Sequence, residues 1–200
     1  MTRIPTPMTD PLGMLEWDSI AQGLFASDAL VKEAEVTPVA IRPVTPGRFV
    51  TLFSGAVEAV RSALHRGHEA GGECVVDSLF LPAPHPGIIP AIGARARFDD
   101  LDAVGVIETL SLCSLLTAAD GAAKAGSVDL VEIRLGMGLG GKAFCVFSGE
   151  VSDVEAALER GTALARERGR HLRSVVIPRP DPRTVQYLID PQEPFSDFVV

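Results

Sequence analysis

Seven residues, Gly136-Met137-Gly138-Leu139-Gly140-Gly141-Lys142, satisfy two phosphate-binding patterns at once, G-x-G-x-x-G and G-x-x-x-x-G-K. Both patterns work by aiming glycine amides and the first turn of a following helix at a phosphate. Here the following residues, Ala143-Phe144-Cys145-Val146-Phe147, read as a strand, and Ala143 stands where the second pattern needs a Ser or Thr for magnesium. The glycines are therefore read as a wide hairpin loop, and nucleotide chemistry is set aside.

Other reactive side chains are scattered. His65 and His68 share a helix face at i, i+3 but have no third ligand in view, and a surface pair is the simpler reading. Cys74, Cys113 and Cys145 are far apart, with no C-x-x-C spacing, and read as ordinary buried thiols rather than metal ligands. Glu16 and Glu108 end matched strands, where a carboxylate can satisfy backbone amides near a helix start. Asp28 and Asp120 precede Lys32 and Lys124 by four residues, the spacing of an intrahelical ion pair. No nucleophile, base and oxyanion stabiliser can be assembled from these, so the chain is read as no enzyme.

These residues come in pairs because the chain repeats itself. Gly13-Met14-Leu15-Glu16, Ser19, Asp28, Lys32, Val36, Ile41 and Arg42 recur 92 residues later as Gly105-Val106-Ile107-Glu108, Ser111, Asp120, Lys124, Val128, Ile133 and Arg134. The offset slips by two before Phe53-Ser54-Gly55, which returns as Phe147-Ser148-Gly149, and by two again before Leu81-Pro82-Ala83-Pro84, which matches Ile177-Pro178-Arg179-Pro180. Slips of this kind locate loops that tolerate insertion between two copies of one supersecondary unit.

Each copy carries the same element order. Leu12 to Trp17 and Ala103 to Thr109 read as strands, and Ser19 and Ser111 cap helices running to about Ala34 and Gly126. Strands over Val36 to Arg42 and Val128 to Leu135 turn into Phe49 to Phe53 and Ala143 to Phe147. A second amphipathic helix and a last strand, Val75 to Leu81 or Leu172 to Ile177, complete the order β-α-β-β-α-β. The fold class is α/β in the α+β sense: two ferredoxin-like domains, each an antiparallel sheet with its helices on one face.

Residues 1–11 read as a loose arm with neither a signal nor a transit peptide, 12–92 as the first domain, 93–102 as a linker, 103–190 as the second domain and 191–200 as a tail. Each half is large enough to bury a modest core of its own. A net charge of −8 over 200 residues, with pI near 5.0 and no basic block, argues against nucleic acid. The 46% hydrophobic content and mean hydropathy of +0.24 come without any run of the roughly 18 apolar residues a membrane span needs, so the excess is assigned to contacts between subunits. A cytosolic protein is expected. The tail, with Phe195 and Phe198 among prolines and acids, reads equally as disorder or as a strap on a domain face.

The motifs Gly-Met-Leu-Glu, Asp-Ala-Leu-Val-Lys, Phe-Ser-Gly-x-Val-x-x-Val and Ile-Pro-Arg-Pro resemble the bacterial microcompartment shell-protein domain, which occurs twice, over about residues 12–92 and 103–190. The tandem arrangement resembles the trimer-forming class, and Val76 to Leu81 with His85 to Ile92 resemble tandem shell proteins of propanediol-utilising compartments. That resemblance implies a homotrimer imitating a hexagon, located in a shell in the bacterial cytoplasm. Its implied partners are hexameric and pentameric shell proteins and enclosed enzymes. It also implies an axial pore for small polar metabolites, lined by Thr45, Pro46, Gly47, Gly138, Leu139, Gly140 and Gly141. By the same resemblance Lys32, Lys124 and Arg179 are tile-edge contacts, with Ala83 replacing the arginine in the first copy.

Where the propanediol type carries a cysteine holding an axial iron-sulfur cluster, this chain has Thr45, so no cofactor is expected. Arg48 and Lys142 flank the loops and would either favour anionic metabolites or face a neighbouring carboxylate or solvent. The competing expectation is a soluble trimer of tandem ferredoxin-like domains that binds or senses a small ligand at its subunit interfaces.

Overall fold

The computed structural model describes residues 9–92, 102–136 and 138–184. The rest of the arm, the linker, Met137 and the segment holding the tail lie outside the described residues. Unit 1 comprises β1 (Leu12–Trp17), α1 (Ile20–Glu33), β2 (Thr37–Val44), β3 (Arg48–Ser54), α2 (Val57–Gly71) and β4 (Val75–Leu81). A short helix, α3 (Ile88–Ala91), follows. Unit 2 repeats the order with β5 (Ala103–Thr109), α4 (Leu112–Ala125), β6 (Asp129–Leu135), β7 (Ala143–Gly149), α5 (Val151–Glu167) and β8 (His171–Pro178).

Each unit is a four-stranded antiparallel sheet, ordered β2-β3-β1-β4 and β6-β7-β5-β8. Both predicted caps are present. The Ser19 hydroxyl accepts from Gln22 N at 3.2 Å and the Ser111 hydroxyl from Ser114 N at 3.1 Å, each satisfying an amide that a helix start leaves unpaired. Strand β2 continues through Pro38 to Val44, past Arg42, as an edge strand, the place in a sheet where proline is tolerated.

Unit 1 buries a modest core of its own, as its size allows, and the two units also share a larger one. Leu15, Trp17, Leu30 and Phe53 form one apolar cluster on the helix-facing side of the first sheet. The opposite side, with Met14, Leu52 and Leu79, joins Leu112, Leu115, Leu116 and Ile133 of unit 2 in a single larger cluster. Strand β1 is consequently buried along its whole length. The helices register the same asymmetry: eleven of the 14 residues of α4 are buried, against four of the 14 in α1, so α4 is covered on two sides and α1 on one.

Candidate functional site

The features that could act on other molecules gather at the junction of the units, at the two hairpin loops and at the exits of the last strands. The junction is built on Glu16. Its carboxylate is fully buried; Oε1 accepts from Arg48 Nη1 at 2.6 Å and Oε2 from the Leu112 amide at 3.0 Å. The expected role, satisfying an amide at a helix start, is found, but the helix is α4 of the other unit. Its repeat partner Glu108 is part-exposed and paired with Lys142 at 3.1 Å.

Burial raises the Glu16 carboxyl above its ordinary value of 4.5, against the pull of Arg48 and the Leu112 amide. A raised acid pKa means that the folded state holds the proton more tightly than the unfolded chain. The stability this linkage contributes is fully present below about pH 4.5 and is lost as pH rises through the folded value. Glu16→Gln keeps an oxygen acceptor for Leu112 N and abolishes the titration. Thermal melts across that window should show the wild type losing stability relative to Glu16→Gln as pH rises; parallel curves would contradict the assignment.

Around this centre lies a polar network that sequence reasoning missed. Asp77 at the edge of the first sheet accepts from Arg168 Nη2 at 2.5 Å and is hydrogen-bonded to the Ser111 hydroxyl. Arg168 also donates to Ser78 O at 2.7 Å, and Arg170 donates to Val76 O at 3.3 Å. The available signal was a break in the repeat: Asp77 and Arg173 occupy the same ladder position, opposite Glu16 and Glu108, with opposite charge.

The two hairpin loops are brought together. Gly138 N donates to the Thr45 hydroxyl at 3.0 Å, and a Cβ on Gly141 would stand 3.1 Å from Pro46 Cδ. Gly47, Gly138, Gly140 and Gly141 all have positive φ, which lets the loops turn without side chains at their tips. Leu139 is half-buried beside them. The glycine loop runs directly into β7, as expected, so it has no helix start to offer a phosphate. Arg48 and Lys142 face carboxylates, as in the plainer of the two expectations.

At the exits, Lys124 Nζ donates to Ala83 O at 2.5 Å and to Asp120 Oδ2 at 2.6 Å, while Asp120 Oδ1 accepts from His85 N at 2.7 Å. Lys32 pairs only with Asp28 among the described residues, at 2.6 Å. Arg179 is exposed at φ 47°, an unusual backbone conformation for a side-chain-bearing residue, and its amide donates to Asp102 O at 2.7 Å. Cys113 and Cys145 are buried; burial pushes the Cys145 thiol to about 12, which makes it inert. Cys74 is only half-buried. No group of three or more His, Cys, Asp or Glu is poised for a metal among the described residues.

The profile of the BMC domain matches residues 11–84 and again 103–180. This chain belongs to the BMC domain family. It is a tandem BMC protein, and its relatives agree. The chain is 40% identical to the bacterial microcompartment shell protein PduT of Citrobacter freundii over 173 residues, covering 86% of this chain and 94% of that one. A single BMC unit is 37% identical over 81 residues to the shell protein EutM of Salmonella typhimurium, covering 40% of this chain and 81% of that protein. Among solved structures, a microcompartment protein of Desulfitobacterium hafniense DCB superposes with a TM-score of 0.79 at 42% identity, covering 90% of this chain and 99% of that one. A structural shell role follows, and nothing among these relatives favours a free ligand-binding trimer.

Proposed function

We propose that three copies of this chain close head to tail into a flat ring of six BMC units, and that this ring is a noncatalytic tile of a microcompartment shell in the bacterial cytoplasm. The observation that carries the reading is the unequal burial of one helix face in its two copies. Ile20, Leu24 and Phe25 on α1 are 46%, 57% and 60% exposed. The repeat partners of the first two, Leu112 and Leu116, are fully buried with Met14 and Leu79 of unit 1. Unit 2 in turn exposes Val175 and leaves Val106 half-buried, at the positions of Leu79 and Met14. A second copy repeating the contact already made within the chain covers both surfaces, and a heterologous contact that closes gives a ring.

In that ring the paired loops, Thr45 to Gly47 with Gly138 to Gly141, recur three times around the axis and line an aperture for small polar metabolites. Arg48 and Lys142 are already neutralised by Glu16 and Glu108, so they add no net charge to it. The reading includes no iron-sulfur cluster: Thr45 offers a hydroxyl rather than a thiolate, and that hydroxyl accepts from Gly138. At the rim Lys32 and Asp28 have 73% and 60% side-chain exposure, and a second copy would bring Arg179 to them as Ala83 is brought to Lys124. Gathered at the rim in this way, Lys32, Lys124 and Arg179 are the residues the ring offers to neighbouring hexameric tiles, with the exposed lysine stems lying along the partner. Pentameric shell proteins and enclosed enzymes complete the set of partners.

Light scattering should give a mass near three times 21.1 kDa. Electron microscopy of the protein with a hexameric shell partner should show mixed sheets. Lys32→Ala with Arg179→Ala should reduce those sheets while leaving the trimer intact. A monomer, or a trimer that joins no array, defeats the proposal.

A further inference from the structure

The ring reading leaves open what fixes partner and register at the contact between chains, the one junction that the covalent link does not impose. We infer that the interfaces are keyed by charge, with the exposed Arg173 of one chain seated against Asp18 and Glu73 of the next. This inference rests on the ring proposed above and adds the residues that fix its alternation.

The junction inside the chain supplies the template. There the edge strand β4 of unit 1 presents Asp77, and unit 2 answers with Arg168 and Arg170 from the turn between α5 and β8, plus Ser111 at the start of α4. The repeat fixes what must meet at the next junction. Strand β8 is the edge of the second sheet, and Arg173 occupies on it the ladder position that Asp77 has on β4. The turn that answers is the one joining α2 to β4, Gly72-Glu73-Cys74, together with Asp18-Ser19 at the start of α1. The equivalence is anchored by matching backbone bonds: Asp18 N donates to Cys74 O, and Leu110 N donates to Arg170 O, both at 2.9 Å.

Sign is reversed at the sheet edge and over the answering turn as a whole, with Glu73 and Asp18 neighbouring Cys74, the repeat counterpart of Arg170, rather than replacing the arginines position for position. The sheet edge changes from Asp77 to Arg173, and the answering turn changes from Arg168 and Arg170 to Glu73 with Asp18. Both junctions therefore put acid on unit 1 and base on unit 2. With the junction inside the chain opened, pairing unit 1 with unit 1 would set Asp77 against Asp18 and Glu73, and pairing unit 2 with unit 2 would set Arg173 against Arg168 and Arg170. Like charges brought together at a partly desolvated contact disfavour the wrong partner more than matched charges favour the right one. Asp18, Glu73 and Arg173 are exposed in the single chain, as residues awaiting that contact must be.

The test uses the full chain, diluted through its assembly range with mass read by light scattering and folding followed by thermal melting. Arg173→Glu should raise the dissociation constant of the assembly by roughly tenfold or more, and Asp18→Arg with Glu73→Arg should do the same. The triple variant carrying all three changes should recover assembly to within a few-fold of wild type. Recovery excludes misfolding as the cause of the loss. A trimeric wild type whose Arg173→Glu variant dissociates no more readily, or whose triple variant fails to recover, overturns the key and leaves the ring standing. A wild type that stays monomeric overturns both.

Discussion

Leu24→Asp is expected to leave the chain folded and abolish its assembly, whereas Leu116→Asp, the same substitution one repeat later, is expected to destabilise the chain by more than about 4 kcal/mol. The two leucines stand 92 residues apart at one position of the repeat. Leu24 is mostly exposed on α1, so a carboxylate there remains in water in the single chain and enters an apolar contact only when a second copy arrives. Leu116 is fully buried within the shared cluster, and an Asp at that position would both vacate the leucine's volume and strand an unpaired carboxylate. Circular dichroism melts and light scattering read the two effects separately. Loss of assembly without loss of melting temperature in Leu24→Asp is the signature of a face that waits for a partner. An assembled Leu24→Asp would remove the main support for the ring.

That pair also marks where sequence reading reached its limit. The order of elements, both serine caps and the strand after the glycine loop follow from local signals, since capping and alternation are set by neighbours a few residues away. The bond from Leu112 N to Glu16 and the bond from Arg168 to Asp77 link residues 96 and 91 positions apart, and no local period encodes them. The size of each repeat allows it a core of its own but says nothing of the larger core the two share. One cue was present in the chain: Leu112-Cys113-Ser114-Leu115-Leu116 is apolar on more faces than Ile20-Ala21-Gln22-Gly23-Leu24, the pattern of a helix covered on two sides. The short helix α3 had no such cue, because Pro86, Gly87 and Pro90 are turn-forming residues and Ile88–Ala91 is too short to carry a helical period. At the candidate site, the loops and lysines were legible as repeat positions, while which copy is buried depended on how the two units pack.

The same logic separates two glycines that the repeat makes equivalent, Gly67 in α2 and Gly161 in α5. A Cβ on Gly67 would meet Leu15 Cδ1 at 2.3 Å and Leu30 Cδ2 at 3.2 Å, both ends of side chains that can rotate. A Cβ on Gly161 would meet Ile107 Cδ1 at 2.5 Å and also the backbone oxygen of Ala118 at 2.8 Å, with Ala122 Cβ at 3.2 Å. That carbonyl belongs to α4, so relief requires the helices to move apart, and α4 is held from behind by unit 1. Replacing a helical glycine by alanine gains about 1 kcal/mol of helix propensity, and a rigid overlap costs about 1–3 kcal/mol. Gly67→Ala should come out near neutral, because its overlap is relieved by side-chain rotation. Gly161→Ala should be destabilised by up to about 2 kcal/mol, a fall of up to roughly 4–8 °C in melting temperature for a chain of this size. Gly161→Leu should prevent unit 2 from folding. Equal melting temperatures for the two alanine variants would mean that α4 and α5 can separate freely, and hence that unit 1 does not brace α4 in the way the shared core requires.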